Sequence, residues 1–213
     1  MGCVKFNFRF ETGKVLLVSS FDDFNLQLFG LALGGHLSKH LYDYKNAPVD
    51  PLKVRVIDMP EINEPDEKDN IKAYISSELA FLRRPSSLKH VLDVIDSVPD
   101  LASKRKLVRK GKIMQLTAKD RIQLLLKLAT LPNILIFSRI RKLLKKPFEI
   151  SPELIVLAIP DRHTSNVDIW LSEAKKLVDQ NIKVVVLVHE STVMSLTDTQ
   201  KEDVQILQVG NYE

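Results

Sequence analysis

The feature that most constrains this chain is a strand–helix–strand run near its end: LIVLAI at 154–159, VDIWLSEAKKLVDQN at 167–181 and KVVVLV at 183–188. Unbroken apolar strands of this kind belong to a sheet covered on both faces, where no polar alternation is needed. Parallel neighbours require a crossover of a dozen or more residues, which the amphipathic stretch between them supplies in its near-universal right-handed form. VQILQV at 204–209 repeats the strand pattern, and KVLLVSS from Lys14 and KVRVIDM at 53–59 carry it at the other end of the chain. Strands near 14–19, 53–59, 154–159, 183–188 and 204–209 are therefore expected to share one mainly parallel, Rossmann-like α/β sheet. Two separate small domains are the alternative arrangement.

The amino-terminal part adds two local expectations. Phe6, Phe8 and Phe10 alternate with polar residues before Thr12-Gly13, which reads as a half-buried strand and a turn. From about Asn25, Leu26, Phe29, Leu33, Leu37 and Leu41 form one helical stripe, and Asp23 or Asn25 is placed to cap it.

Between the two strand-bearing ends lies a helical stretch, from about Asn70 to Lys146, divided at Pro85, Pro99 and Pro132. Ser86-Ser87 offers one helix cap, and the last two helices are expected at roughly 118–131 and 134–146. This places an α/β domain on 1–62 and 151–213 and a helical insertion on 63–150.

The formal charge of +4 conceals a steep asymmetry. Between Lys104 and Lys146 there are fourteen Lys and Arg against the single acid Asp120, whereas the rest of the chain holds 17 basic and 26 acidic residues. A concentrated positive field of this kind attracts nucleic-acid phosphates or an acidic protein face. The expected contacts are Lys104, Arg105, Lys106, Arg109, Lys110, Lys112, Arg139, Arg141, Lys142, Lys145 and Lys146. A solvated helix surface is the plain alternative. Only Phe137 and Phe148 are aromatic nearby, so base stacking gains little support.

Several classes are disfavoured. One cysteine, Cys3, cannot close an internal disulfide or build a cysteine zinc site, which fits a reducing compartment. No apolar run reaches the roughly 18 residues of a membrane span, so no membrane partner is expected. No strand leads into a glycine-rich phosphate loop of Walker or GxGxxG spacing, and no GxSxG elbow occurs. His36 and His40 stand four apart without the glutamate of an HExxH site.

Ligands of open parallel sheets sit beyond the carboxyl ends of the strands. Those loops hold Asp22 and Asp23; Asp161, His163 and Thr164-Ser165-Asn166; and His189-Glu190. These residues are candidate metal ligands, or they are helix caps and ordinary loop polarity; the Thr164-Ser165-Asn166 loop is also a candidate anion seat for a nucleotide sensor.

In their order along the chain, VLLVSSFDDFN, LIVLAIPD and WLSEAKKLVDQNIKVVVLVHES resemble the motifs of the DHH phosphoesterases, in particular RecJ-type nucleases and their inactive replication relatives. Against the family loop SHxDxDG, Ser20 stands at the histidine, Asp22 matches an aspartate, Phe24 replaces the other and Asn25 replaces the glycine. Asp161 corresponds to the second-motif aspartate, and His189 alone matches the final Asp-His-His. A two-cation reaction needs most of these ligands. The resemblance thus implies a DHH-type sheet in a non-catalytic replication factor, binding GINS- and MCM-like helicase components and possibly DNA, cytoplasmic or nucleoid-associated. It implies no catalytic residue, metal or cofactor, with Asp22, Asp23, Asp161, His163 and His189 as remnants. The opposing expectation is a metal-dependent phosphoesterase or nuclease using those same five residues.

Overall fold

A computed structural model describes residues 9–34, 53–57, 69–135, 148–158, 160 and 163–209. The strands are β1 (Val15–Ser20), β2 (Val54–Ile57), β3 (Asn133–Leu135), β4 (Phe148–Ile150), β5 (Leu154–Ala158), β6 (Lys183–His189) and β7 (Val204–Gln208). The helices are α1 (Asp23–Leu33), α2 (Ile71–Phe81), α3 (Leu88–Asp96), α4 (Pro99–Ala102), α5 (Arg105–Lys110), α6 (Ala118–Thr130), α7 (Val167–Val178), α8 (Glu190–Met194) and α9 (Asp198–Glu202).

All five expected strands join one sheet in the order β2-β5-β6-β1-β7, and every pairing is parallel. All six residues of β1 are buried, because the strand is paired on both edges and covered on both faces. Leu16 and Val18 point into one apolar layer with Leu26 and Phe29 of α1. Val15 and Leu17 point into the other, which Trp170, Leu171 and Ala174 of α7 and Ile122, Leu125 and Leu126 of α6 complete. The two-residue alternation of a strand thus feeds two cores at once. Each such aliphatic side chain removed from water contributes about 1.5–3 kcal/mol.

The helical stretch has a core of its own, in which Ile71, Ile75, Val91, Ile95, Leu101, Val108 and Ile113 meet Leu124 and Leu128. α6 therefore serves two cores from two sides. Its capping box explains where it starts: Thr117 Oγ1 accepts from the Asp120 amide at 3.2 Å, and Asp120 Oδ2 accepts from the Thr117 amide at 3.2 Å. Asp120 is 2% exposed, and Lys104 supplies its countercharge.

The expected helix over 134–146 is corrected at its start. Asn133–Leu135 pair antiparallel with Phe148–Ile150, so extended backbone follows Pro132. The Ile134 amide also donates to the Leu82 carbonyl at 3.1 Å, tying this strand to the end of α2. Ser87 occupies the cap position of α3, but its hydroxyl meets His90 Nδ1 at 2.8 Å instead of a backbone amide. Of the strand expected over 5–10 only Arg9 and Phe10 are described, and neither is in a strand; the stripe positions Leu37 and Leu41 lie outside the described residues. No helix among the described residues is long and apolar enough to cross a membrane.

Two outcomes follow from this packing. Lys104→Ala leaves the Asp120 carboxylate buried without its cation and is expected to cost about 1–3 kcal/mol, whereas exposed Lys106→Ala stays within about 0.5 kcal/mol; urea unfolding of both variants checks the contrast. Burial raises the Glu78 carboxyl above the ordinary glutamate value. A group whose pKa is raised on folding penalises the native state above that pKa and costs nothing below the unfolded value. Glu78→Gln should therefore melt higher than the parent at pH 7, with the gain vanishing as the pH falls below the usual glutamate range, read by thermal unfolding across pH.

Candidate functional site: the carboxyl rim of the sheet

Strand order decides where a ligand-binding crevice forms. The chain leaves β1 through α1 toward β2 at one edge of the sheet, and it leaves β6 through α8 and α9 to reach β7 on the other side of β1. Connections that depart in opposite directions from adjacent strands open a crevice at their carboxyl ends. Here the adjacent strands are β1 and β6, and Ser20 stands opposite His189 in their register.

The rim at this switch point is aromatic and acidic. Phe21 and Phe24 are 67% and 62% exposed, although large apolar side chains normally leave water. The Phe21 ring stands edge-on to His189 with centroids 6.1 Å apart. The β1–α1 turn satisfies itself: Ser20 Oγ accepts from the Asp22 amide at 3.1 Å, and Asp22 Oδ1 accepts from the Phe24 amide at 2.9 Å. Asp22, not Asp23 or Asn25, is the cap of α1, and Asp23 occupies its first turn. The amino end of a helix carries a partial positive charge that favours anions. At α1 that position already holds one carboxylate, with a second beside it.

His189 closes β6 and opens α8. Its Nδ1 accepts from the Ser191 amide at 3.3 Å and lies 2.8 Å from Ser191 Oγ, which leaves Nε2 as the protonated nitrogen. The next residue, Glu190, is 7% exposed. One of its oxygens accepts from Gln208 Nε2 at 3.0 Å, while Oε2 is buried with no hydrogen-bond partner. Ser19, fully buried and in register with Gln208, has an equally unpartnered Oγ. Sequence reasoning places Glu190 among the loop candidates but does not single out Ser19, since a serine ending an apolar strand gives no signal until its neighbouring strands are placed beside it.

The other sequence candidates disperse. His163 belongs to the loop after β5, where its Nδ1 accepts from Arg121 Nη1 of α6 at 3.1 Å, since a guanidinium only donates. In the Thr164-Ser165-Asn166 loop, Thr164 Oγ1 accepts from the Asn166 amide at 3.1 Å and Asn166 Oδ1 caps α7 through the Asp168 amide at 3.0 Å. The cap reading of that loop therefore holds, and the anion seat is filled by the chain itself. Asp161 lies outside the described residues. Among the described residues no group of three or more His, Cys, Asp and Glu side chains converges where an ion would be held.

The basic candidates are likewise sorted by the fold. Lys104 neutralises Asp120, Arg105 forms a two-pronged pair with Asp96, and Lys119 pairs with Asp100 at 2.7 Å. The Asp96 carboxylate raises the Arg105 guanidinium further, and the Lys119 hydrogen bond holds the Asp100 carboxyl below its usual value. Lys106, Arg109 and Lys110 of α5 and Lys112 just after it are exposed. Arg139, Arg141, Lys142, Lys145 and Lys146 lie outside the described residues.

No protein-family model matches this sequence. No curated protein matches it either. Solved structures do. A Pyrococcus furiosus protein described as an ABC transporter ATP-binding protein superposes with a TM-score of 0.50 at 13% identity, over 92% of this chain and 84% of that one. An ABC transporter described as of metal-chelate type, in an inward-facing conformation, gives 0.53 at 16% identity, over 95% of this chain and 72% of that one. Identities this low establish the fold alone. The likeness to these ATP-binding proteins overturns the DHH resemblance and with it the RecJ-like, GINS-associated replication factor. The earlier likeness rested on apolar strands leading through polar loops into helices, a pattern that any parallel α/β sheet produces.

Proposed function

We propose that this chain is a subunit of the ABC-type ATP-binding class whose nucleotide site has been remodelled, so that it serves a transport assembly through protein contacts and not through a phosphate cradle of its own. The likeness to the two transporter proteins supports the class. The β1–α1 turn supports the remodelling. Ser19 to Asn25 contain neither glycine nor lysine, whereas a phosphate loop needs glycines to bring backbone amides to the phosphates and a lysine to meet their charge. Asp22 and Asp23 instead put negative charge where the phosphates would lie. The segment 63–150 is, on this reading, an inserted helical unit carried by the sheet.

A second reading, a working ATP-binding NTPase, draws on the printed description of the Pyrococcus protein and on the exposed Phe21 and Phe24, whose rings offer a face for a purine. One experiment separates the two. Thermal unfolding of the purified chain is followed with magnesium and increasing ATP, beside Phe21→Ala. The remodelled site predicts no shift up to millimolar ATP. A ligand present at a hundred times its Kd adds about 2.7 kcal/mol, so a saturable rise in Tm that Phe21→Ala abolishes would establish the NTPase and reject the remodelled site.

A further inference from the structure

We infer that the end of α5 and the turn after it form a docking platform for an acidic segment of a partner protein, built from Lys106, Arg109, Lys110 and Lys112. All four side chains are exposed, and among the described residues no carboxylate pairs with any of them. In this they differ from Lys104, Arg105 and Lys119, whose charges the fold consumes.

The cluster works against its own helix. Lys106 and Lys110 stand four residues apart on α5, and Lys106 and Arg109 three apart. Like charges at these spacings destabilise a helix by about 0.2–0.5 kcal/mol per pair. The helix contains no acid to relieve them. A bound polyanion removes that repulsion, so the isolated chain holds the platform in a state that binding improves.

The platform is also rigid. The Gly111 amide returns to the Leu107 carbonyl, and the Gly111 carbonyl accepts from the Ile71 amide at 3.1 Å. The Ile113 amide donates to the Asp69 carbonyl at 2.9 Å, and Asn70 bridges Lys112. A Cβ at position 111 would fall 2.6 Å from the Leu107 carbonyl oxygen, so only glycine makes this turn. Lys110 and Lys112 are thus fixed on either side of a turn bonded to the start of α2. Preorganised charges lose little freedom on binding.

Four polyanions are in principle suited to four cations, and the surroundings favour one. A membrane surface requires an apolar helix face beside the charges, but Val108 is fully buried and Leu107 packs against the helical core. Single-stranded nucleic acid requires stacking rings, and 104–120 contain no aromatic residue. Duplex DNA is read by a helix lying in its groove, for which the six residues of α5, packed along α2, leave no free length. Carboxylates of an extended acidic segment need none of these.

The test uses the full chain and a fluorescent peptide of ten glutamates, with a glutamine peptide of equal length as control, read by anisotropy. The glutamate peptide should bind at low salt and weaken at least about tenfold by 0.2 M salt as the Debye length contracts. The quadruple variant K106Q/R109Q/K110Q/K112Q should lose at least about tenfold in affinity while melting no lower than the parent, because it deletes exposed, mutually repelling charges. Unchanged peptide binding by that variant would overturn the proposal. So would tighter binding of a 20-base-pair duplex or of phosphatidylserine vesicles than of the peptide. Neither result bears on the nucleotide reading, which concerns the β1–α1 turn.

Discussion

The parallel pairing of β1 with both β6 and β7 is the constraint on which the rest of the molecule depends. A strand held on both edges and covered on both faces favours apolar residues, and its four aliphatic side chains anchor one core to α1 and another to α6 and α7. The same central placement sends the chain off in opposite directions from β1 and β6 and so opens the crevice at their carboxyl ends. Architecture and site location are consequences of one strand's position.

Residues of the chain itself fill that crevice. A helix amino end beyond a central strand is suited to an anion by the exposed amides and the helix dipole. In this chain Asp22 satisfies the amide of Phe24 from within, and exposed phenylalanines flank the turn. Behind them sit a buried carboxylate oxygen and a buried hydroxyl without partners, on Glu190 and Ser19. The rim offers aromatic surface and carboxylate charge where phosphate chemistry would require amides and cations.

The basic middle of the chain is equally changed by folding. As a composition it is one block of positive charge, but among the described residues Lys104, Arg105 and Lys119 are spent on ion pairs, the first holding the buried Asp120 at the start of α6. The remaining exposed cations of α5 are a much smaller and more ordered set. Charge density along a sequence therefore overstates the charge available to a partner whenever the fold recruits part of it.

The α/β class, the positions of the five parallel strands, the crossover helix α7 and the cap at Asn166 were legible in the residues themselves, because burial on both faces and local backbone satisfaction leave direct marks in composition. The strand pairing of Asn133–Leu135 with Phe148–Ile150 was not, since short apolar runs suit a helix and a strand alike. The order β2-β5-β6-β1-β7 was not either. Apolar strands give the same local pattern whatever their neighbours, and for that reason motif order alone pointed to the wrong phosphoesterase kinship. Tertiary structure also decided that Ser19, Gln208 and Glu190 meet, and that Lys104 faces inward while Lys106 faces out. Side-chain identity determines what a residue is able to do; which partners lie within about 3 Å of it depends on segments far away in the chain, and only packing brings those together.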